Sequence, residues 1–127
     1  MRVHLTHRGE FVRRKSEAII ANTLYGRGIN YRYEQPLSLL DGQTLYPDFT
    51  VITGGRKFYW EHLMALAKPE YRERCQFLRA KYRSAGIMPW QEGGGPNGIL
   101  IETQDKPAGG LHIGMIDVLI KELLLRL

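Results

Sequence analysis

The chain has a single cysteine, Cys75, among its 127 residues. A lone cysteine excludes an internal disulfide and supplies no cluster for structural zinc, so a reducing cytoplasm is the expected compartment. No uninterrupted apolar run approaches the roughly 20 residues that a membrane span needs, and no membrane partner is expected. The opening stretch MRVHLTHRGEFVRRK is polar and basic, unlike the apolar core of a secretory signal. No internal repeat, low-complexity tract or linker is visible, so residues 1–127 are expected to form one domain. Acid is also in short supply. There are 13 Asp and Glu against 18 Lys and Arg, for a net charge of +5.

What is present balances these absences. Apolar residues make up 43% and charged residues 24%, the proportions of a soluble globular chain. The positive charge is uneven. Residues 1–35 carry seven basic and three acidic side chains, residues 36–85 eight and five, residues 86–127 three and five. Twelve of the cations are arginine, whose planar fork matches phosphate. A positive N-terminal two-thirds makes nucleic acid a candidate partner. A solvated basic face is the plain alternative.

Periodicity predicts a first helix over Arg13 to Tyr25, with Ala18, Ile19, Ala21, Leu24 and Tyr25 as its apolar side. Strands are expected over Tyr31 to Leu40 and Tyr46 to Thr53, split by a hairpin at Asp41-Gly42. Pro36 weakens the first of these as a central strand. Gly54-Gly55 makes a second tight turn into a third strand, Lys57 to Met64. Pro69 suits the first turn of a second helix, which Gly86 stops. Its apolar seam is Tyr71, Cys75, Leu78 and Tyr82, flanked by a polar stripe of Arg72, Gln76, Arg79 and Arg83. Residues 88–97 read as loop, Gly98 to Glu102 as a fourth strand and Asp105 to Gly110 as a turn. Ile113 to Leu127 reads as a third helix burying Ile116, Leu119, Ile120, Leu123 and Leu124. The expected order is α-β-β-β-α-β-α, a mixed sheet flanked by helices.

Three carboxylates stand out by position. Glu17 lies on the first helix, Asp48 follows Pro47 in the second strand, and Glu61 lies at the end of the third. The Gly54-Gly55 hairpin sets the last two side by side, within reach of one cation. An acid flanked by Tyr59, Trp60 and Leu63 is costly to bury unless it is paired or ligates a metal. Oxygen ligands suit Mg²⁺ or Mn²⁺, which can activate water and neutralise charge on a phosphoryl group. For any single acid the alternative is an N-cap, a surface ion pair or a turn residue.

Glu17, then Pro47-Asp48-Phe49, then Tyr59-Trp60-Glu61-His62-Leu63 on successive elements resemble the PD-(D/E)xK nuclease superfamily. More narrowly, RRKSEAIIANTLY, YRYEQPL, YPDFTV and YWEHL resemble a compact nuclease domain that occurs alone or joined to bacterial DNA helicases. The similarity runs from about Val12 to Leu124. It implies a restriction-endonuclease-like α/β core with a four-stranded mixed sheet. It implies Mg²⁺- or Mn²⁺-dependent cleavage of DNA, with water attacking phosphorus in line and leaving a 5′-phosphate. Carried over residue by residue, Asp48 and Glu61 would be metal-binding carboxylates and the His62 backbone carbonyl a further ligand. Glu17 would complete the site directly or through a water. A helicase or other DNA-processing protein is an implied partner, and a homodimer is compatible with cutting two strands.

The chain departs from that pattern at Leu63, where the superfamily places a lysine. Lys15, Arg79 and Lys81 are the candidates to replace it. Lys57 shares the face of Glu61, but four residues along a strand is roughly 13 Å. The His62 ring reads either as a proton shuttle or phosphate contact, or as a histidine packed on the face opposite Glu61. Gln76 reads as a phosphate contact or a solvated helix position. Tyr59 and Trp60 read as base-stacking platforms or as core. Glu34 is expected to be structural and Cys75 inert. The run Arg13-Arg14-Lys15 reads as a backbone-phosphate contact or as a solvated helix start, and the cost of cations opposing the helix dipole there mildly favours the first. The competing reading of the whole is a catalytically degenerate module that binds DNA or docks on a helicase, with the apolar LLLRL end as its surface.

Overall fold

The computed structural model describes residues 1–63 and 68–125. Met64, expected to close the third strand, and Arg126 and Leu127, expected to end the last helix, lie outside the described residues. Those described form a mixed α/β fold with three helices and a five-stranded mixed sheet.

The chain opens with a small hairpin that the sequence reading missed, β1 (His4–Leu5) against β2 (Phe11–Val12). Helix α1 follows (Lys15–Gly26), starting two residues later than expected. Its buried side is Glu17, Ala18, Ile20, Ala21 and Leu24, whereas Ile19 is half-buried and Tyr25 is exposed. The helix face is therefore rotated by about one residue from the expected one, and it carries Glu17.

The first expected strand breaks in two. Residues β3 (Arg32–Tyr33) pair with the central hairpin, and the chain then turns through Glu34 at φ +50°. Beyond Pro36, β4 (Leu37–Ser38) and β5 (Thr44–Leu45) form a separate two-stranded sheet around Asp41-Gly42. The Asp41 carboxylate caps that turn by accepting the Gln43 backbone N–H at 2.9 Å. Strands β6 (Phe49–Thr53) and β7 (Arg56–Leu63) make the expected hairpin. Its two-residue loop needs positive φ at both positions, and Gly54 and Gly55 sit at +58° and +73°.

Helix α2 (Pro69–Ser84) crosses over to β8 (Ile87–Pro89), and β9 (Gly98–Gln104) then inserts between β8 and β7, parallel to both. The sheet order is β3-β6-β7-β9-β8, five strands rather than four. Strand β8 was missed because Pro89 and the following glycines mask an edge strand of three residues. Helix α3 (Ile113–Leu119) passes into a π-helical turn, Ile120–Leu124.

The even residues Phe58 and Trp60 of β7 pack with Phe49, Ile101, α1 and α3 on one face of the sheet. Tyr59 and Leu100 pack with Tyr82 of α2 and with Leu39 and Leu45 on the other. Tyr59 and Trp60 are thus core residues. The loop between β8 and β9 folds tightly. A Cβ on Gly95 would stand 2.3 Å from the Gly86 carbonyl oxygen. Gly95→Ala is expected to cost about 1–3 kcal/mol, read as a lower Tm in a thermal melt.

Candidate active site

Phe49 lies opposite Trp60 in the β6–β7 ladder. Asp48, in a bend just before β6 rather than within a strand, and Glu61 are the next residues outward, and they share one side of the hairpin. Glu17 reaches the same point from the first turn of α1. It occupies a core position of that helix and is only 1% exposed. A carboxylate so placed must be satisfied by partners. Its Oε1 accepts the Tyr33 hydroxyl at 2.8 Å and the Arg14 backbone N–H at 3.1 Å. Its Oε2 accepts the Arg14 guanidinium, Nη2 at 3.2 Å and Nε at 3.4 Å.

Arg14 does more than cap the helix. The same Nη2 lies 3.4 Å from Asp48 Oδ2 and 2.5 Å from the His62 carbonyl oxygen. Asp48 Oδ2 also accepts the His62 backbone N–H at 2.7 Å. Glu61 Oε2 accepts the Tyr82 hydroxyl, donated from α2, at 2.6 Å. Burial pushes the Asp48 carboxyl well above the usual carboxylate range, and the charges of Glu61 and Glu17 add to the shift. Burial also raises Glu61; Tyr82 works against this, and the neighbouring Glu102 reinforces it. Glu102 faces Glu61 across the β7–β9 register and is tied to Arg79 at 2.8 and 3.2 Å.

The donors are hard oxygens, the set that suits Mg²⁺ or Mn²⁺. As they stand, no three His, Cys, Asp or Glu side chains among the described residues are grouped to hold a metal ion. A guanidinium stands between Glu17, Asp48 and the His62 carbonyl instead. The donor chemistry fits a divalent cation, and the present spacing is set by Arg14.

The His62 ring has no exposed surface. Its Nδ1 lies 2.8 Å from Thr103 Oγ1 and its Nε2 2.9 Å from Asp105 Oδ1. Trp60 Nε1 donates to Thr103 Oγ1 at 2.8 Å, and Ser16 Oγ donates to Asp105 Oδ1 at 2.9 Å. With both nitrogens engaged on the face opposite Glu61, the ring is a packed strut rather than a proton shuttle. Burial opposes ionisation of Asp105, but hydrogen bonds from His62 and Ser16 outweigh it and hold its carboxyl below the ordinary range.

A cavity of about 650 Å³ opens over Asp48, Glu61 and the His62 backbone. Its walls carry four arginines: Arg2, Arg13, Arg14 and Arg74. Arg2 and Arg13 both bind Glu34, at 2.7 and 2.8 Å, so Glu34 is structural as expected. The candidates for the lysine missing at Leu63 stand elsewhere. Lys15 is exposed and does not line the cavity. Lys81 binds Asp41 at 2.9 Å, and Arg79 is held by Glu102. Gln76 is exposed and lies outside the cavity wall. Arg74, which sequence reasoning passed over, shares the cavity wall with Leu63, Tyr71, Cys75 and Leu78. The signal was there, since helical spacing sets Arg74 beside the Tyr71-Cys75-Leu78 seam. Tyr33, half-buried, and Tyr82, fully buried, were also passed over; each reaches a carboxylate through its hydroxyl.

No family model matches the chain, and no match was found among curated proteins.

Proposed function

We propose that this chain is a divalent-metal-dependent DNA nuclease with a restriction-endonuclease-like, PD-(D/E)xK-type core. One observation carries the reading. Glu17, Asp48 and Glu61, from three different elements, are turned inward with a peptide carbonyl beside an arginine-walled cavity. Buried acids this close repel one another unless a cation is shared among them. Asp48, Glu61 and the His62 carbonyl would hold Mg²⁺ or Mn²⁺, with Glu17 completing the set. When bound, the ion would supply an activated water and offset charge on the phosphate under attack.

The chain's own residues do the rest. Thr103 and Asp105 clamp the His62 ring and so fix the direction of its carbonyl. Tyr82 fixes the Glu61 carboxylate. Arg2 and Arg13 on the cavity wall meet backbone phosphates, contacts that position a strand without reading its sequence. Arg74 takes the place of the cation missing at Leu63 and contacts the phosphate being cleaved. Arg74→Ala is expected to slow cleavage about a hundredfold while leaving Mn²⁺ affinity within a factor of a few, read by initial rates beside calorimetry.

The test of the whole reading is incubation of the wild type with labelled single-stranded DNA, double-stranded DNA and RNA, each with Mg²⁺, Mn²⁺ or EDTA. Metal-dependent cleavage of DNA is the expected result. DNA binding with neither cleavage nor metal uptake would favour the second reading, a degenerate module that binds DNA or docks on a helicase. Two observations lean that way: the uncharged Leu63, and the exposed Ile113, Met115 and Val118 of α3.

A further inference from the structure

The contacts of Arg14 have a peculiarity that the nuclease reading alone does not explain. Among the described residues, the four hydrogen bonds of its side chain run to Glu17 Oε2, Asp48 Oδ2 and the His62 carbonyl. These are oxygens assigned above to a divalent ion. A guanidinium reaches them at 3.2, 3.4 and 2.5 Å, whereas Mg²⁺ holds its oxygens at about 2.0–2.1 Å. The fork therefore holds the oxygens in a wider array than a metal would. Two positive centres within a few ångströms of the same oxygens disfavour each other.

We infer that Arg14 is a resident stand-in cation: it and a divalent ion compete for Glu17, Asp48 and the His62 carbonyl, and the displaced guanidinium becomes available to a DNA phosphate. The inference rests on the nuclease reading and adds its regulation. Arg14 is placed for such an exchange. Its side chain is 31% exposed, and it lines the cavity beside Arg13. Its backbone N–H makes a separate bond to Glu17 Oε1 at 3.1 Å, so the helix start has a capping contact that does not use the side chain. Coupling is reciprocal. A phosphate that draws Arg14 outward tightens metal binding, and a bound metal frees Arg14 to take a phosphate. The idle protein thus loads metal weakly, and substrate completes the site.

The experiment is a calorimetric Mn²⁺ titration of wild type, Arg14→Gln and Arg13→Gln without DNA, with thermal melts to verify folding. Arg13 is the adjacent cation on the same cavity wall, but it is bonded to Glu34 rather than to the carboxylate cluster. Arg14→Gln is expected to bind Mn²⁺ about tenfold more tightly than wild type, within the usual range of coupling between sites. Arg13→Gln is expected to change little. Equal or weaker binding by folded Arg14→Gln overturns the inference while leaving a metal-binding wild type as a nuclease. Equal tightening in both variants also overturns it, because loss of any nearby charge would then suffice. Failure of every variant to bind Mn²⁺ removes the nuclease reading together with the inference. A measurement on the wild type guards against misfolding of the variant. Its Arg14 Nε–H resonance is expected to shift progressively as Mg²⁺ is added, and an unmoved resonance at saturating Mg²⁺ overturns the exchange.

Discussion

Asp48→Asn and Glu61→Gln are each expected to reduce Mg²⁺-dependent cleavage about a thousandfold. On the proposed function a bound metal would supply several kcal/mol of transition-state stabilisation, and losing about 4 kcal/mol of it would cost three factors of ten at about 1.36 kcal/mol each. Both replacements keep the shape of the side chain. An asparagine carbonyl can still accept the His62 N–H, and a glutamine carbonyl can still accept the Tyr82 hydroxyl. What disappears is a charge that burial and neighbouring acids already disfavour. Each variant is therefore expected to melt at a higher temperature than the metal-free wild type at pH 8. Lost cleavage with gained stability is the signature of a site strained for function. Loss of both activity and stability would point instead to general damage, and unchanged cleavage would remove the carboxylates from the mechanism.

The second large effect is on stability against pH. Asp48 and Glu61 have folded-state pKa values raised above those of the unfolded chain, where carboxyls titrate near pH 4. The folded protein then binds more protons than the unfolded one between about pH 4 and about pH 8. Stability is greatest on the acid side of this window and falls as pH rises through the raised values. The slope is up to about 1.4 kcal/mol per pH unit for each proton retained. Burial lowers the pKa of His62, which acts in the opposite sense below its ordinary value near 6.5. The clearest fall is accordingly expected from pH 6.5 to 8. Denaturant melts in EDTA across that range should show a declining midpoint, and saturating Mg²⁺ should flatten the decline. A midpoint that rises with pH in EDTA would contradict the crowding of these acids.

Much of this site was legible in residue types and spacing. The turn at Gly54-Gly55 set Asp48 against Glu61, because a two-residue loop fixes the register of everything beyond it. Alternation along β7 separated His62 from Glu61. Glu17 could have been read more sharply, since it falls in helical register with Ile20, Ala21 and Leu24, where an acid is out of place. Other features were hidden for physical reasons. β8 is three residues long and follows a helix stop, too short for alternation to show. Strand β3 is cut at Glu34, which has a left-handed backbone and whose carboxylate is held by two arginines from remote parts of the chain. The arginine that bridges the carboxylates was read as a phosphate contact, because charge at a helix start carries no information about which way the side chain folds.

The strut through His62 also fixes when the site can come into being. Ser16 and Asp105 are 89 residues apart, and Trp60, His62 and Thr103 join them only once β9 lies between β7 and β8. Contacts of such long range form slowly, after local helices and hairpins. On the ribosome, α1 and the β6–β7 hairpin emerge well before the strand that completes the sheet. A chain still being translated thus holds its three inward-facing acids without the clamp that aims the His62 carbonyl. On the proposed function, competence to cut is deferred until β9 has been made.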